Sequence, residues 1–459
     1  MARGVRRGFF NLGRVLPIIG ALSLAPFSLA ASHEARPTDP AGVEDFTIAI
    51  TGDAIGPYEP VMQTADARLA RVAGLLNSAD AAFGNQEGSI FDLSTFPGTL
   101  GAENGGGKPL GSAAVARDLK RMGLTMMSKA NNHAVDWGLE GLAATERSLD
   151  AAGIVHAGSG DSEAAARAPA YLATAHGRVG LVATASTYPD MARAGPPVEE
   201  DGVKLRGRAG VSTLGLREVI LVTPAEMQSL QSIAARRTTS PGASQNAERE
   251  KTADLRVSDF HSGEQTYRVG GPQTLRFSMD QNDLAAILGS LTQARGAADR
   301  VVFSIHAHET ASGAAEDPAP ADFLPPLFHQ AIDAGADVVV RTGPHALKGV
   351  EIYKGKPIFY GMGSFYLGIG GPDRMFRGSR LPPAWDESVI ALAHFHGGQL
   401  VDVRLYPTQT IREAGPLLGA PMLAPPADAE RILRRLQAQS EPYGTKILIR
   451  DGVGVIEGR

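Results

Sequence analysis

Leu124-Thr125-Met126-Met127-Ser128-Lys129-Ala130-Asn131-Asn132-His133-Ala134-Val135-Asp136-Trp137-Gly138 is the stretch that decides how this chain folds. Residues 124–129 form a short apolar run of the kind that makes a buried strand. A polar turn follows, and residues 138–152 have helical spacing that Gly153 stops. Strand, polar turn and helix is the repeating unit of α/β proteins. It places Asn131, Asn132, His133 and Asp136 at the carboxyl end of a strand, where open α/β sheets build their sites.

The same rhythm extends in both directions. Upstream, residues 46–51 predict a strand ending in Gly52-Asp53, and 65–77 a helix carrying Leu69, Val72, Leu75 and Leu76. Residues 79–83 predict a strand running into Gly84-Asn85-Gln86-Glu87, and 113–122 a helix. Downstream, strands are predicted at 179–186, 301–305 and 337–341, with helices at 284–294 and 323–334. The pattern then changes to strands joined by tight turns at 350–353, 357–360, 388–395 and 400–405. Alternating units followed by hairpins predict a layered α/β protein with mixed sheets. The polar stretch 236–272 reads as a surface insertion or linker, the alternative being a lid. Residues 416–427 read as a linker before a last helix at 428–439.

Composition narrows the chemistry. The chain has 459 residues, 43% of them hydrophobic, with 54 Gly and 30 Pro, which excludes coiled-coil, collagen-like and wholly disordered chains. A net charge of −5 argues against a general nucleic-acid binder. With no cysteine, disulfides, thiolate zinc sites, iron–sulfur clusters and a cysteine nucleophile are excluded, so a metal must be held by His, Asp, Glu or Asn. Arg3, Arg6, Arg7 and Arg14 precede an apolar stretch that ends in Ser28-Leu29-Ala30, so residues 1–30 read as a twin-arginine-like export signal, the alternative being an uncleaved anchor. The expected location is the periplasm or cell envelope.

Each predicted strand end carries a candidate ligand. These are Asp53, Glu87, Asn132 with His133, His306 and His345. Imidazole, carboxylate and carboxamide without sulfur suit Zn, Mn, Fe(II) or Mg rather than copper. Paired ions of this kind activate water and clamp a tetrahedral anion. His306 and His308 flank Ala307, and at most one of the two is expected to face a common site. Lys348, Lys354 and Lys356 are expected on a solvated strand edge.

At these residues the sequence resembles the CapA family of poly-γ-glutamate capsule synthesis proteins. The resemblance rests on Gly52-Asp53, Gly84-Asn85-Gln86-Glu87, Asn131 through Gly138, Ser304-Ile305-His306, Gly343-Pro344-His345, Tyr353 through Tyr360 and Gly363-Ser364-Phe365. It spans about residues 46–408. It implies a four-layer α/β/β/α metallophosphatase-like domain, placed at 45–410, with a C-terminal helix and strand extension at 411–459. The chain departs from the family pattern where Arg341-Thr342 replaces Gly-His, Ser364 replaces Asn, and His306-Ala307-His308 replaces His-Trp-Gly. One or two divalent ions (Mn, Zn or Fe) are therefore both left open.

Two functions follow as expectations. One is a metal-dependent hydrolase acting on a phosphoester or an amide-linked polymer, with Asp53, Glu87, Asn132, His133, His306 and His345 as ligands. In it Asp136 orients His133, and His308 or Glu309 protonates a leaving group. The other is a non-catalytic component that binds an anionic polymer during capsule assembly or export, in contact with membrane-bound capsule synthesis proteins. No Walker-type phosphate loop is present, so ligase chemistry is not assigned.

Overall fold

The structure is a computed structural model that describes residues 45–459 except 57–58, 238–254, 260–262, 271–274, 315, 369–381, 414 and 459. The export signal expected at 1–30 lies outside the described residues.

Two sheets form the centre. In the first, the strands run in the order Leu448–Arg450, Val453–Glu457, Gln399–Thr410, Glu387–His396, Asp45–Ile55, Ala81–Gln86, Met126–Ser128 and Val155–Ala157. Ser364–Leu367 adds to Asp45–Ile55, and Pro421–Leu423 to Gln399–Thr410. The second runs Val350–Tyr353, Lys356–Phe359, Val338–Thr342, Arg300–His306, Gly177–Ala185 and Ala170–Thr174. Asp45–Ile55, Ala81–Gln86 and Met126–Ser128 are parallel, as are Gly177–Ala185, Arg300–His306 and Val338–Thr342.

Strand alternation sorts the side chains into layers. Ile48, Ile50, Phe83 and Met126 of the first sheet share one core with Val302, Val338, Val340 and Phe359 of the second. Their neighbours Ala49, Ala82 and Met127 face the other way, against Leu69, Val72 and Leu76 of helix Ala67–Asn77 and Val115, Leu119 and Met122 of helix Ala114–Met122. Val301, Phe303, Ile305 and Val339 likewise pack on Leu284, Ile287 and Leu291 of helix Gln281–Ala297 and Leu327 and Phe328 of helix Leu324–Asp333. The order is helices, sheet, sheet, helices, which is the expected four-layer fold. Strands buried on both faces explain why the sequence shows continuous apolar runs here rather than alternation. Truncating a fully buried residue such as Leu291 to Ala costs about 2–5 kcal/mol.

The first strand is longer than its apolar run. It continues to Ile55 past an irregularity between Ile50 and Asp53, because its end gains a second partner in Ser364–Leu367. Gly52 lies against the backbone there, and a Cβ at this position would sit 1.8 Å from the Gly363 carbonyl oxygen. This crossing brings Asp53 into the sheet interior.

Two segments differ from expectation. The polar stretch 236–272, read as a surface insertion or linker, contains Leu255–Asp259 and Gly263–Val269, which join Leu216–Val222 and Leu275–Met279 in a four-stranded side sheet. Past residue 410, helix Pro426–Ser440 buries Ile432, Leu433 and Leu436 in the inter-sheet core, and Val453–Glu457 pairs with Gln399–Thr410. The C-terminal segment is thus built into the large sheet. Among the described residues no helix is long and apolar enough to cross a membrane.

Candidate metal centre

The carboxyl ends of the parallel strands of both sheets meet at one place. Asp53 and Glu87 arrive from the first sheet, and His306 and His345 from the second. His133 comes from the turn before helix Gly138–Ala152.

Glu87 is at the middle. Its Oε1 lies 3.7 Å from His345 Nε2, 3.8 Å from His306 Nε2 and 4.0 Å from His133 Nε2. The residue is fully buried, and among the described residues neither carboxylate oxygen accepts a hydrogen bond. Burial, and then the neighbouring Asp53 carboxylate, push its carboxyl well above the usual range. An unpartnered buried carboxylate is costly, and a cation among these groups would remove that cost. Two ligand groups share Glu87: Asp53 with His306, and His308 with His345, the ligand atoms of each group lying within 4.8 Å of one another. The donor set therefore fits a divalent metal.

The other ligands are held by specific contacts. Burial raises the Asp53 carboxyl, but the contact with His345, the charges of His345 and His306 and the Gly343 N–H outweigh it and hold the group below the usual carboxylate range. Asp53 Oδ2 lies 3.4 Å from His345 Nδ1 and accepts from the Gly343 N–H at 3.0 Å. Asn85 Nδ2 donates to Asp53 Oδ1 at 2.8 Å and lies 3.2 Å from His306 Nδ1. Burial drives the His306 imidazole down to about 3, so it stays neutral and able to ligate. His133 Nδ1 is 2.7 Å from Asp136 Oδ2, and the other Asp136 oxygen accepts from the Gly105 N–H. The Asp136 carboxylate holds the proton on His133 Nδ1 and leaves the Nε2 lone pair facing Glu87. His345 has φ of +53°, unusual for a residue with a side chain, and its ring lies 4.6 Å from that of Trp385. A strained backbone is thus held in place at a ligand.

The structure brings Asp53, Glu87, His133, His306 and His345 together and sets Asp136 behind His133. Asn132 donates its amide to the Gly105 carbonyl at 2.7 Å, and its Oδ1 is buried with no hydrogen-bond partner among the described residues. Three expectations are corrected. His306 and His308 both face the site, with their Nε2 atoms 3.0 Å apart, because residues two apart on an extended chain share a face. His308 therefore joins Glu87 and His345 as a group that could hold a metal, and burial followed by the charges of His306 and His345 keeps its imidazole well below the ordinary range. Glu309 does not reach the site, since its carboxylate accepts from Ser186 Oγ at 2.8 Å and Thr187 Oγ1 at 3.0 Å. Lys348 is also buried, donating to the Asp317 carbonyl at 2.6 Å.

A family model described as bacterial capsule synthesis protein matches residues 47–368, the part of the chain that supplies every one of these groups. The chain belongs to that capsule synthesis family. It is 36% identical over 450 residues to the uncharacterized protein y4sH of Sinorhizobium fredii, covering 90% of this chain and 93% of that protein. A probable polyglutamine synthesis accessory protein of Mycobacterium tuberculosis is 24% identical over 327 residues, 70% of this chain and 63% of its own. The Bacillus subtilis PGA biosynthesis protein CapA is 36% identical over 80 residues, 17% of this chain and 20% of its own.

Residues that distinguish this capsule synthesis protein now have a place. Thr342, standing where an imidazole was expected, puts its Oγ1 3.1 Å from His306 Nδ1. His308, two residues beyond His306, supplies an imidazole to the same site. The sequence carried both features, but only the packed sheets relate them. Asn85, the hub between Asp53 and His306, stands in the motif Gly84-Asn85-Gln86-Glu87, where nothing local marks it for that role.

Proposed function

We propose that this member of the capsule synthesis family is a metal-dependent hydrolase of the cell envelope that cleaves a phosphoester or an amide-linked anionic polymer in poly-γ-glutamate capsule metabolism. The observation that carries the reading is Glu87, buried and unpartnered among imidazoles and shared by two ligand groups. The ion, Mn, Zn or Fe, would be held by Asp53, Glu87, His306, His308 and His345, with His133 and the free Asn132 Oδ1 at the rim. A bound divalent cation supplies Lewis-acid polarisation of the scissile group and lowers the pKa of water.

The chain's own residues do the rest. Asp136 fixes the His133 ring so that its Nε2 points into the site. Asn85 fixes Asp53 against His306. Neutral His306 and His308, whose Nε2 atoms lie 3.0 Å apart, would each offer a lone pair to the ion. The names of the tuberculosis and Bacillus relatives support the polyglutamate context. The arginine-rich start of the chain supports export, and contact with membrane-bound capsule synthesis proteins is part of this reading. A second reading, a non-catalytic component that binds the polymer, is favoured by one observation: Glu309, the nearest acid of the 306–309 turn, is occupied by Ser186 and Thr187.

The test is metal analysis of the purified protein joined to turnover assays. The expected result is bound transition metal, lowered in His133→Ala, and faster cleavage of a phosphodiester or γ-glutamyl substrate with added Mn²⁺ or Zn²⁺. Metal without turnover on either substrate class would favour the binding component. No metal in the wild type would refute both uses of the site.

A further inference from the structure

Two buried cations near the site make no ion pair among the described residues, and both bind backbone in the same way. Lys129 is fully buried, and its Nζ donates to the Gly88 carbonyl at 2.8 Å and to the Gln86 carbonyl at 3.4 Å. Those are the two residues on either side of Glu87. Arg341 is 1% exposed; its Nε donates to the Ala307 carbonyl at 2.9 Å and its Nη2 to the Glu309 carbonyl at 2.7 Å. Those are the two residues on either side of His308. A third donation, from Nη1 to the Tyr360 carbonyl at 3.4 Å, ties the guanidinium to the neighbouring strand.

We propose that Lys129 and Arg341 are positioning residues of the metal centre, each clamping the two peptide carbonyls that bracket one ligand, Glu87 and His308 respectively. The proposal rests on the metal-site reading above. Its physical basis is backbone hydrogen bonding. Among the described residues Glu87 accepts no side-chain hydrogen bond to aim it, so its direction is set by its main chain. The main chain leaves the sheet only after His306, and there the guanidinium fork supplies donors to Ala307 and Glu309. A flexible Lys suits the convergent pair at Glu87, and a planar fork suits the spread pair at His308.

The two clamps differ in reach. Glu87 belongs to both ligand groups, whereas His308 belongs only to the group with His345. Losing Lys129 should weaken all metal uptake, and losing Arg341 only the share that depends on His308.

The experiment is calorimetric titration of the full-length protein with Zn²⁺ and with Mn²⁺. It compares wild type, Lys129→Met, Arg341→Met and Arg341→Lys with Glu87→Gln, His308→Ala and the double variants. Thermal midpoints in chelator check that each variant is folded. The expected result is a loss of about 10–100-fold in affinity for Lys129→Met and Arg341→Met, the range known for outer-shell partners. Arg341→Lys, which keeps one donor, should recover part of it. Lys129→Met should add nothing to Glu87→Gln, and Arg341→Met nothing to His308→Ala, because each pair acts through one ligand. A general loss of structure would instead lower the chelator midpoint and give additive effects, which overturns the proposal. Wild-type affinity in both clamp variants, with the ligand variants impaired, overturns it as well. Wild-type protein that binds neither ion refutes the metal-site reading and the proposal with it.

Discussion

Replacing Glu87 by Gln should make the metal-free protein more stable and the metal-loaded protein less so. The Glu87 carboxylate is buried, accepts no hydrogen bond among the described residues and faces Asp53. An unsatisfied buried polar group costs about 1–3 kcal/mol, and more when charged. The amide keeps the shape and removes the charge, so without metal the variant should gain about 2 kcal/mol. At about 2.1 cal/mol/K per residue, a domain of this size unfolds with an entropy near ~0.9 kcal/mol/K, so the midpoint should rise by about 2 °C. With metal at about 1,000 times its Kd, the wild type gains about 4 kcal/mol, or roughly 5 °C, that the variant lacks. The two curves should therefore cross between chelator and metal in scanning calorimetry. The pH dependence has a definite sign. The folded state binds the Glu87 proton more tightly than the unfolded chain does, so wild-type stability falls as pH rises through the unfolded pKa of about 4.3 toward the folded value. The advantage of the variant should shrink to nothing below that window. A variant less stable than wild type in chelator at neutral pH would refute the reasoning and make Glu87 an ordinary satisfied core group.

Other outcomes follow from the same geometry. Because Glu87 must release its proton to ligate while His306 is already neutral, metal affinity should rise with pH below the Glu87 pKa, and titrations in buffers of different ionisation heat should show proton release. Asp136→Asn should weaken metal binding about 10–100-fold with little change in the chelator midpoint, as titration with Zn²⁺ would show. Glu309→Gln should leave metal content at the wild-type level by elemental analysis while costing about 1–2 kcal/mol of stability through Ser186 and Thr187. Gly52→Ala should destabilise by about 3 kcal/mol or more, because the new methyl meets the Gly363 carbonyl oxygen; denaturant unfolding measures it.

The central strands, most helices and the candidate ligands at strand ends were legible in the residue order, whereas strands such as Val155–Ala157, Ser364–Leu367 and Val453–Glu457 were not. Apolar runs and helical spacing are local properties, and polar residues following a strand fall at its carboxyl edge whatever the rest of the chain does. Asp53, Glu87, His133, His306 and His345 were legible for that reason, as was the Asp136 contact within one turn. What only the tertiary structure decided depends on residues far apart in the chain. Asn85 meets His306 across 221 positions, and Gly343 meets Asp53 across 290. Strand Asp45–Ile55 extends past its apolar run because Ser364–Leu367 joins it. Glu309 looked like a site acid until Ser186 and Thr187, on another strand's end, claimed it. Lys129 and Arg341 carried no sequence signal, since a buried cation is recognised only once the carbonyls it binds are in place. The absence of cysteine fixed which atoms could ligate, and the face-to-face packing of two sheets fixed which of them meet.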